Sequence, residues 1–123
     1  MNEETKQLEE LLQKIDSTRK LLDIDAFVQE AKTLETQMES PGFWSNQEEA
    51  TKVSKRLSFL KEEIETWEKM KSETEGLISL SEELEKEPDE SLKMELQTQK
   101  ELLQKKFERL EFFLLFDGKH DQR

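Results

Sequence analysis

Over the first 22 positions the apolar side chains fall at Leu8, Leu11, Ile15 and Leu22, with Thr18 between. This 3-4-3-4 spacing, widened by Leu12, predicts an amphipathic helix from Glu3 to about Leu22. Asp23-Ile24-Asp25 interrupts it, and Asp25 is the expected cap of a second helix from Ala26, carried by Phe27, Ala31, Leu34 and Met38. Ser40-Pro41-Gly42-Phe43-Trp44-Ser45-Asn46 then stops the pattern. Pro41 removes a donor and drives Ser40 out of the helical region, while Gly42 allows a sharp turn. Ser45 or Asn46 supplies a cap, with Glu48 or Glu49 three residues on. Phe43 and Trp44 are expected to dock on the flanking helices as structural anchors.

A longer stripe follows at Ala50, Val53, Leu57, Leu60, Ile64 and Trp67. Beyond Trp67 the seam weakens to Lys71 and Thr74 before Leu77, Ile78, Leu80 and Leu84 resume it. Gly76 leaves two possibilities, a continuous helix that bears about 1 kcal/mol or a bend near Ser72–Gly76. Lys86-Glu87-Pro88-Asp89 ends the segment, and Asp89 suits the cap of a last helix with Leu92, Leu96, Gln99, Leu103, Phe107, Leu110 and Leu114. So short a connection between long amphipathic helices predicts an antiparallel hairpin. Folded about Glu87, it pairs Leu60 with Leu114, Ile64 with Leu110, Trp67 with Phe107 and Ile78 with Leu96, with Lys71 facing Leu103 as the flaw. Trp67 and Phe107 are expected core anchors. Residues 47–60 are left for the two N-terminal helices to cover. The expected fold is all-α, an elongated helical bundle built on a long antiparallel hairpin with shorter N-terminal helices against it.

Composition narrows the function classes. The 123 residues are 40% charged and 33% hydrophobic, with 3 Gly, 2 Pro and no Cys. That is the make-up of long helices, and the periodic apolar spacing argues against disorder. A net charge of −11 disfavours DNA as a partner and confines any RNA contact to local basic patches. No apolar run approaches a membrane span, and Met-Asn-Glu-Glu-Thr lacks the features of a signal peptide. A soluble cytoplasmic protein is the expectation.

No catalytic constellation is present. His120 is a single imidazole without companion ligands, and Glu9-Glu10, Glu62-Glu63 and Glu82-Glu83 read as solvated helix faces. Neither a phosphate-binding loop nor a nucleophile elbow occurs, so neither catalysis nor a cofactor is expected. Charge placement says more. Glu82, Glu83, Glu85, Glu87, Asp89 and Glu90 make the hairpin tip acidic, while Lys52, Lys55 and Arg56 form one basic triplet and Lys105, Lys106 and Arg109 another. Both triplets lie away from the tip and are candidate contacts for phosphates or an acidic partner. Chance clustering on solvated helices is the plainer alternative. Phe112, Phe113, Leu114, Leu115 and Phe116 form an apolar run wider than one helix face, which fits further protein downstream.

With these residues in view, the chain resembles the N-terminal helical domain of the bacterial peptide chain release factor 2 family. The likeness runs from Leu22-Asp23-Ile24-Asp25 through Ser40-Pro41-Gly42-Phe43-Trp44 and Gln47-Glu48-Glu49-Ala50 to Leu110-Glu111-Phe112 and Phe116-Asp117-Gly118-Lys119-His120-Asp121. The Pro-x-Phe-Trp corner is its most specific part, because the sister factor 1 family typically lacks the tryptophan. Ser45, Asn46 and Gln47 stand where the family usually has an acidic residue and Asp-Pro. The resemblance implies a ribosome-interacting arm (residues 1–116) of a class-I factor that terminates translation at UAA and UGA. Residues 117–123 would lead into codon-reading and catalytic parts. It implies as partners the GTPase-associated region of the ribosome near the stalk base, the recycling GTPase release factor and the protein's own C-terminal domains. The Gly-Gly-Gln loop of the family is not in this sequence. A generic coiled-coil scaffold or dimerisation module is the alternative reading.

Overall fold

The computed structural model describes residues 1–116, which hold four α-helices and no strand. α1 spans Glu3–Leu22, α2 Ile24–Met38, α3 Gln47–Lys86 and α4 Glu90–Phe116, with a 3-10 turn at Phe43–Ser45. The expected all-α bundle with a long hairpin is what forms.

Local chemistry sets each boundary. Asn2 caps α1 by accepting the Thr5 N–H at 2.9 Å, while Glu3 and Glu4 at one end and Arg19 and Lys20 at the other complement the helix dipole. Asp23 sits at φ 58° in the left-handed region. Its N–H donates to the carbonyls of Arg19 and Lys20, and its carboxylate accepts the Ala26 N–H at 3.3 Å. One residue therefore closes α1 and opens α2. The cap expected at Asp25 belongs to Asp23, because a short polar side chain tolerates the left-handed conformation and still reaches the next helix. At the corner, Gly42 takes φ 83° and the Asn46 side chain accepts the Glu49 N–H at 3.1 Å. Asp89 caps α4 by accepting the Leu92 N–H at 3.1 Å.

α3 is the spine, 40 residues and so roughly 60 Å long. It runs unbroken through Gly76. A Cβ at Gly76 would meet nothing within 4 Å, so the glycine weakens the helix by about 1 kcal/mol with no packing return among the described residues.

α1 lies antiparallel along the second half of α3. Thr5 meets Ser81, Asp16 meets Lys71 at 3.3 Å and Arg19 meets Glu68. α2 continues along the first half, where Ala31 packs on Leu57 and Leu60 with Phe27, Leu34, Met38 and Phe59 around them. Of the two N-terminal helices only α2 therefore covers residues 47–60, where both were expected. The single-residue joint at Asp23 is too short to fold α1 back on α2, so the two follow each other along α3. α4 returns beside the second half of α3 and completes a three-helix section with α1.

The core of that section is Trp67, fully buried among Leu11, Ile15, Ile24, Met70, Leu103 and Phe107. The Trp67 and Phe107 rings meet edge to face, 6.2 Å apart at 86°, as the hairpin register requires. The flaw expected at Lys71 is absent. Met70 holds the inward position, the seam continues through Thr74 and Ser81, and Lys71 turns to Asp16. α1 draws the buried face of α3 round by one residue, which apolar spacing on α3 alone does not show.

Two small hydroxyls suit this seam. Thr74 donates to the Met70 carbonyl at 2.7 Å, and Ser81 pairs with the Thr5 hydroxyl. Both side chains are satisfied where a larger residue would hold α1 off.

Candidate functional site

The described residues hold no group of three His, Cys, Asp or Glu side chains placed to bind a metal ion. His120 and the 117–123 segment lie outside the described residues. What the fold presents is two segregated charge surfaces, an exposed aromatic corner and an apolar helix end.

The first basic triplet is divided by the structure. Lys52 and Lys55 stand exposed on α3, but Arg56 grips Glu30 on α2 with both arms of its guanidinium, at 2.7 and 2.8 Å. The Arg56 guanidinium also lies 5.5 Å over the Phe59 ring. The Arg56 hydrogen bonds hold the Glu30 carboxyl below its ordinary value against the opposing effect of partial burial, and the guanidinium charge adds to this. Arg56 is thus a clip between α2 and α3, which leaves Lys52 and Lys55 as the fully exposed members of the triplet. Periodicity marks Arg56 as facing outward; only the docking of α2 supplies its carboxylate.

In the second triplet, Lys105 and Arg109 are exposed and Lys106 is half-buried beside the α3–α4 groove. Phe107 is level with Trp67, which lies ~18 Å along α3 from Lys55 at the rise of an α-helix. The fold therefore keeps the two triplets as separate patches at the end away from the tip.

The acidic tip is also divided. Glu82, Glu83, Glu87, Asp89 and Glu90 face solvent. Glu85 turns to the start of α1, where its carboxylate accepts the Thr5 hydroxyl at 2.8 Å and the Asn2 N–H at 3.4 Å. It also lies 3.9 Å from the Met1 ammonium. The Thr5 hydroxyl is the chief cause that holds the Glu85 carboxyl below its ordinary value. Beside it, Lys100 is buried against α1, 2.9 Å from Glu4 Oε2 and donating to Gln7. The Glu4 contact is a charge pair rather than an aligned hydrogen bond. Lys100 escapes notice as a polar residue, yet Leu96, Lys100, Leu103 and Phe107 keep a 4-3-4 spacing that marks its inward place.

Trp44 does not dock. It is 60% exposed, while Phe43 is half-buried with the two rings edge to face at 4.9 Å. The corner packs on α2 and α3 only, and α1 and α4 both lie along the other half of the spine. Among the described residues no wall exists there to cover an indole. Phe112, Phe113, Leu115 and Phe116 are likewise exposed at the end of α4, whereas Leu110 and Leu114 turn inward to the Trp67 core.

Residues 27–123 match the family model of the PCRF domain. The chain belongs to the PCRF domain family. It is 34% identical over 116 residues to peptide chain release factor 2 of Acidothermus cellulolyticus, a match that covers 94% of this chain and 31% of that protein. It is 30% identical over 115 residues to the factor 2 of Lactiplantibacillus plantarum, covering 94% and 30%. Against the factor 2 of Thermus thermophilus it is 36% identical over 77 residues, covering 63% and 20%. The likeness to factor 2 that rests on the Pro-x-Phe-Trp corner is therefore borne out across nearly the whole chain. This PCRF domain spans about a third of the length of these first relatives. No helix among its described residues is long and apolar enough to cross a membrane.

Proposed function

We propose that this chain is the ribosome-docking helical arm of a class-I peptide chain release factor that acts in the cytoplasm at UAA and UGA codons. Residues 1–116 form the arm, and 117–123 lead toward codon-reading and catalytic parts. The observation that carries this reading is the PCRF match over 27–123, in a chain similar to a third of several release factors 2. The fold supports it: a spine roughly 60 Å long, acidic at one end and basic beyond the middle, can reach a distant part of the ribosome without chemistry of its own. Contacts with the GTPase-associated region and with the recycling GTPase belong to the same reading, as does release of the peptide by the whole factor rather than the arm.

The test is made in the full-length factor with Lys52→Glu and Lys55→Glu, leaving Arg56 to hold α2. Ribosome affinity should fall, and the slope of log affinity on log salt should flatten by about one to two units. Unchanged affinity across the salt series would remove this patch as the docking surface. The reading frame beyond Arg123 should encode a Gly-Gly-Gln segment; a stop codon there would overturn the release-factor reading itself.

A further inference from the structure

The α3–α4 hairpin has two grooves, and α1 fills only one of them. On the face away from α1 lies an open groove of about 410 Å³ with Leu77, Leu102 and Leu103 on its floor, Gly76 at its centre, and Lys69 and Lys106 at one end. It continues toward the tip over Leu80, Leu84 and Leu92 to Glu83 and Glu87. Leu102 is 57% and Leu92 43% exposed. We propose that this second groove is a docking site for an amphipathic helix of a protein partner, seated with its N-terminus at the acidic hairpin tip.

Three observations fix that occupant. The filled groove shows what the hairpin accepts: α1 is an amphipathic helix whose N-terminus lies at the tip, with the Met1 ammonium and the Asn2 N–H at Glu85. The open groove is net acidic at the tip, where Glu83, Glu87 and Asp89 outnumber Lys86, and net basic at its other end, where Lys69 and Lys106 outnumber Glu73. The net charges favour one direction for a helix dipole, positive N-terminus toward the carboxylates and negative C-terminus toward the lysines. Gly76 is the third. A glycine inside a helix with open space around its missing Cβ packs against nothing among the described residues, but it lets another backbone approach closely. The span from Lys69 to Glu87 takes a helix of about 18 residues with Leu or Met on one face, Lys or Arg in its first turns and Asp or Glu in its last.

The test uses the full chain and a fluorescein-labelled synthetic peptide of that pattern, with a second peptide whose terminal charges are exchanged. Anisotropy titration should show saturable binding of the first peptide and binding about tenfold weaker for the second. Gly76→Leu should raise the melting temperature through helix propensity while weakening the first peptide at least about tenfold, and Leu102→Glu should weaken it similarly without disturbing the fold. A folded variant that cannot bind separates a blocked groove from a broken protein. Amide shifts should map binding to Lys69, Gly76 and Leu102. Equal binding of both peptides, binding that survives Gly76→Leu, shifts confined to Phe112–Phe116, or a concentration-dependent dimer that Gly76→Leu abolishes would each overturn the proposal.

Discussion

Removing the Glu4 carboxylate should cost more stability than removing the Lys100 ammonium, although the two form one pair. The Lys100 side chain is 7% exposed and lies 2.9 Å from Glu4 Oε2, whereas the Glu4 side chain is 20% exposed at the first turn of α1. In Glu4→Ala the ammonium stays beneath α1 with only the neutral Gln7 carbonyl oxygen as partner. An uncompensated buried charge costs about 3–5 kcal/mol, and the freedom of the lysine stem to swing outward places this case near the low end. Lys100→Met keeps the volume of the stem and removes a desolvated charge. It leaves a carboxylate whose Oε2 is buried without a hydrogen bond. At 20% exposure in the first turn of α1, however, Glu4 can turn that oxygen to water, where the helix dipole favours it. The change should therefore cost about 1–2 kcal/mol, less than Glu4→Ala. The double variant should recover most of what Glu4→Ala loses. Urea unfolding followed by far-UV circular dichroism reads all three, and Glu4→Ala should lower the melting temperature by roughly 10 °C or more. Equal losses from the two single variants, or a larger loss from Lys100→Met, would refute the reasoning, since the buried ammonium would then be a net source of stability.

Asp23→Ala should cost about 1–2 kcal/mol in the same assay, because it removes the α2 cap and puts a Cβ-bearing residue without that cap at positive φ, while Asp23→Asn should retain most of it. The Arg56–Glu30 clip should contribute up to about 1 kcal/mol, as exposed bidentate pairs do. With the Glu30 carboxyl depressed in the folded protein, that contribution is present above the ordinary glutamate value of 4.5 and is lost as pH falls through the lower folded value. The stability gap between wild type and Glu30→Gln should therefore close on acidification; a gap independent of pH would contradict the assignment. Trp44→Ala should change stability by no more than about 0.5 kcal/mol, against about 3–5 for Trp67→Ala. In Trp67→Phe, which also removes a buried indole N–H that has no acceptor, the emission of Trp44 should be red-shifted and readily quenched by acrylamide; shielded blue emission would contradict the exposed corner.

Several features of the chain needed nothing but its residues. Period-3.6 apolar stripes set the four helices, and Pro41 and the Lys86–Asp89 stop placed the two sharp reversals, because a missing donor or a helix-breaking run acts locally whatever the tertiary fold. The Trp67–Phe107 pairing was legible too, since a short connection constrains the register of an antiparallel hairpin. The Pro-x-Phe-Trp corner carried the family likeness without any knowledge of where its tryptophan points.

The tertiary structure decided what lies between helices. Lys71 gave way to Met70, Arg56 became a clip, Glu85 turned to the start of α1, Lys100 was buried, and Trp44 was left in water. Each outcome depends on where α1 and α2 lie along α3, and that follows from one left-handed residue, Asp23, whose joint is too short to reverse the chain. Sequence spacing reports the face a helix hides but not how many neighbours share it. A third helix rotates that face and hands charged residues partners that are distant in sequence, Thr5 to Glu85 and Glu4 to Lys100 among them. The same arrangement leaves the groove over Gly76 uncovered, a consequence of three helices sharing a surface that has room for four.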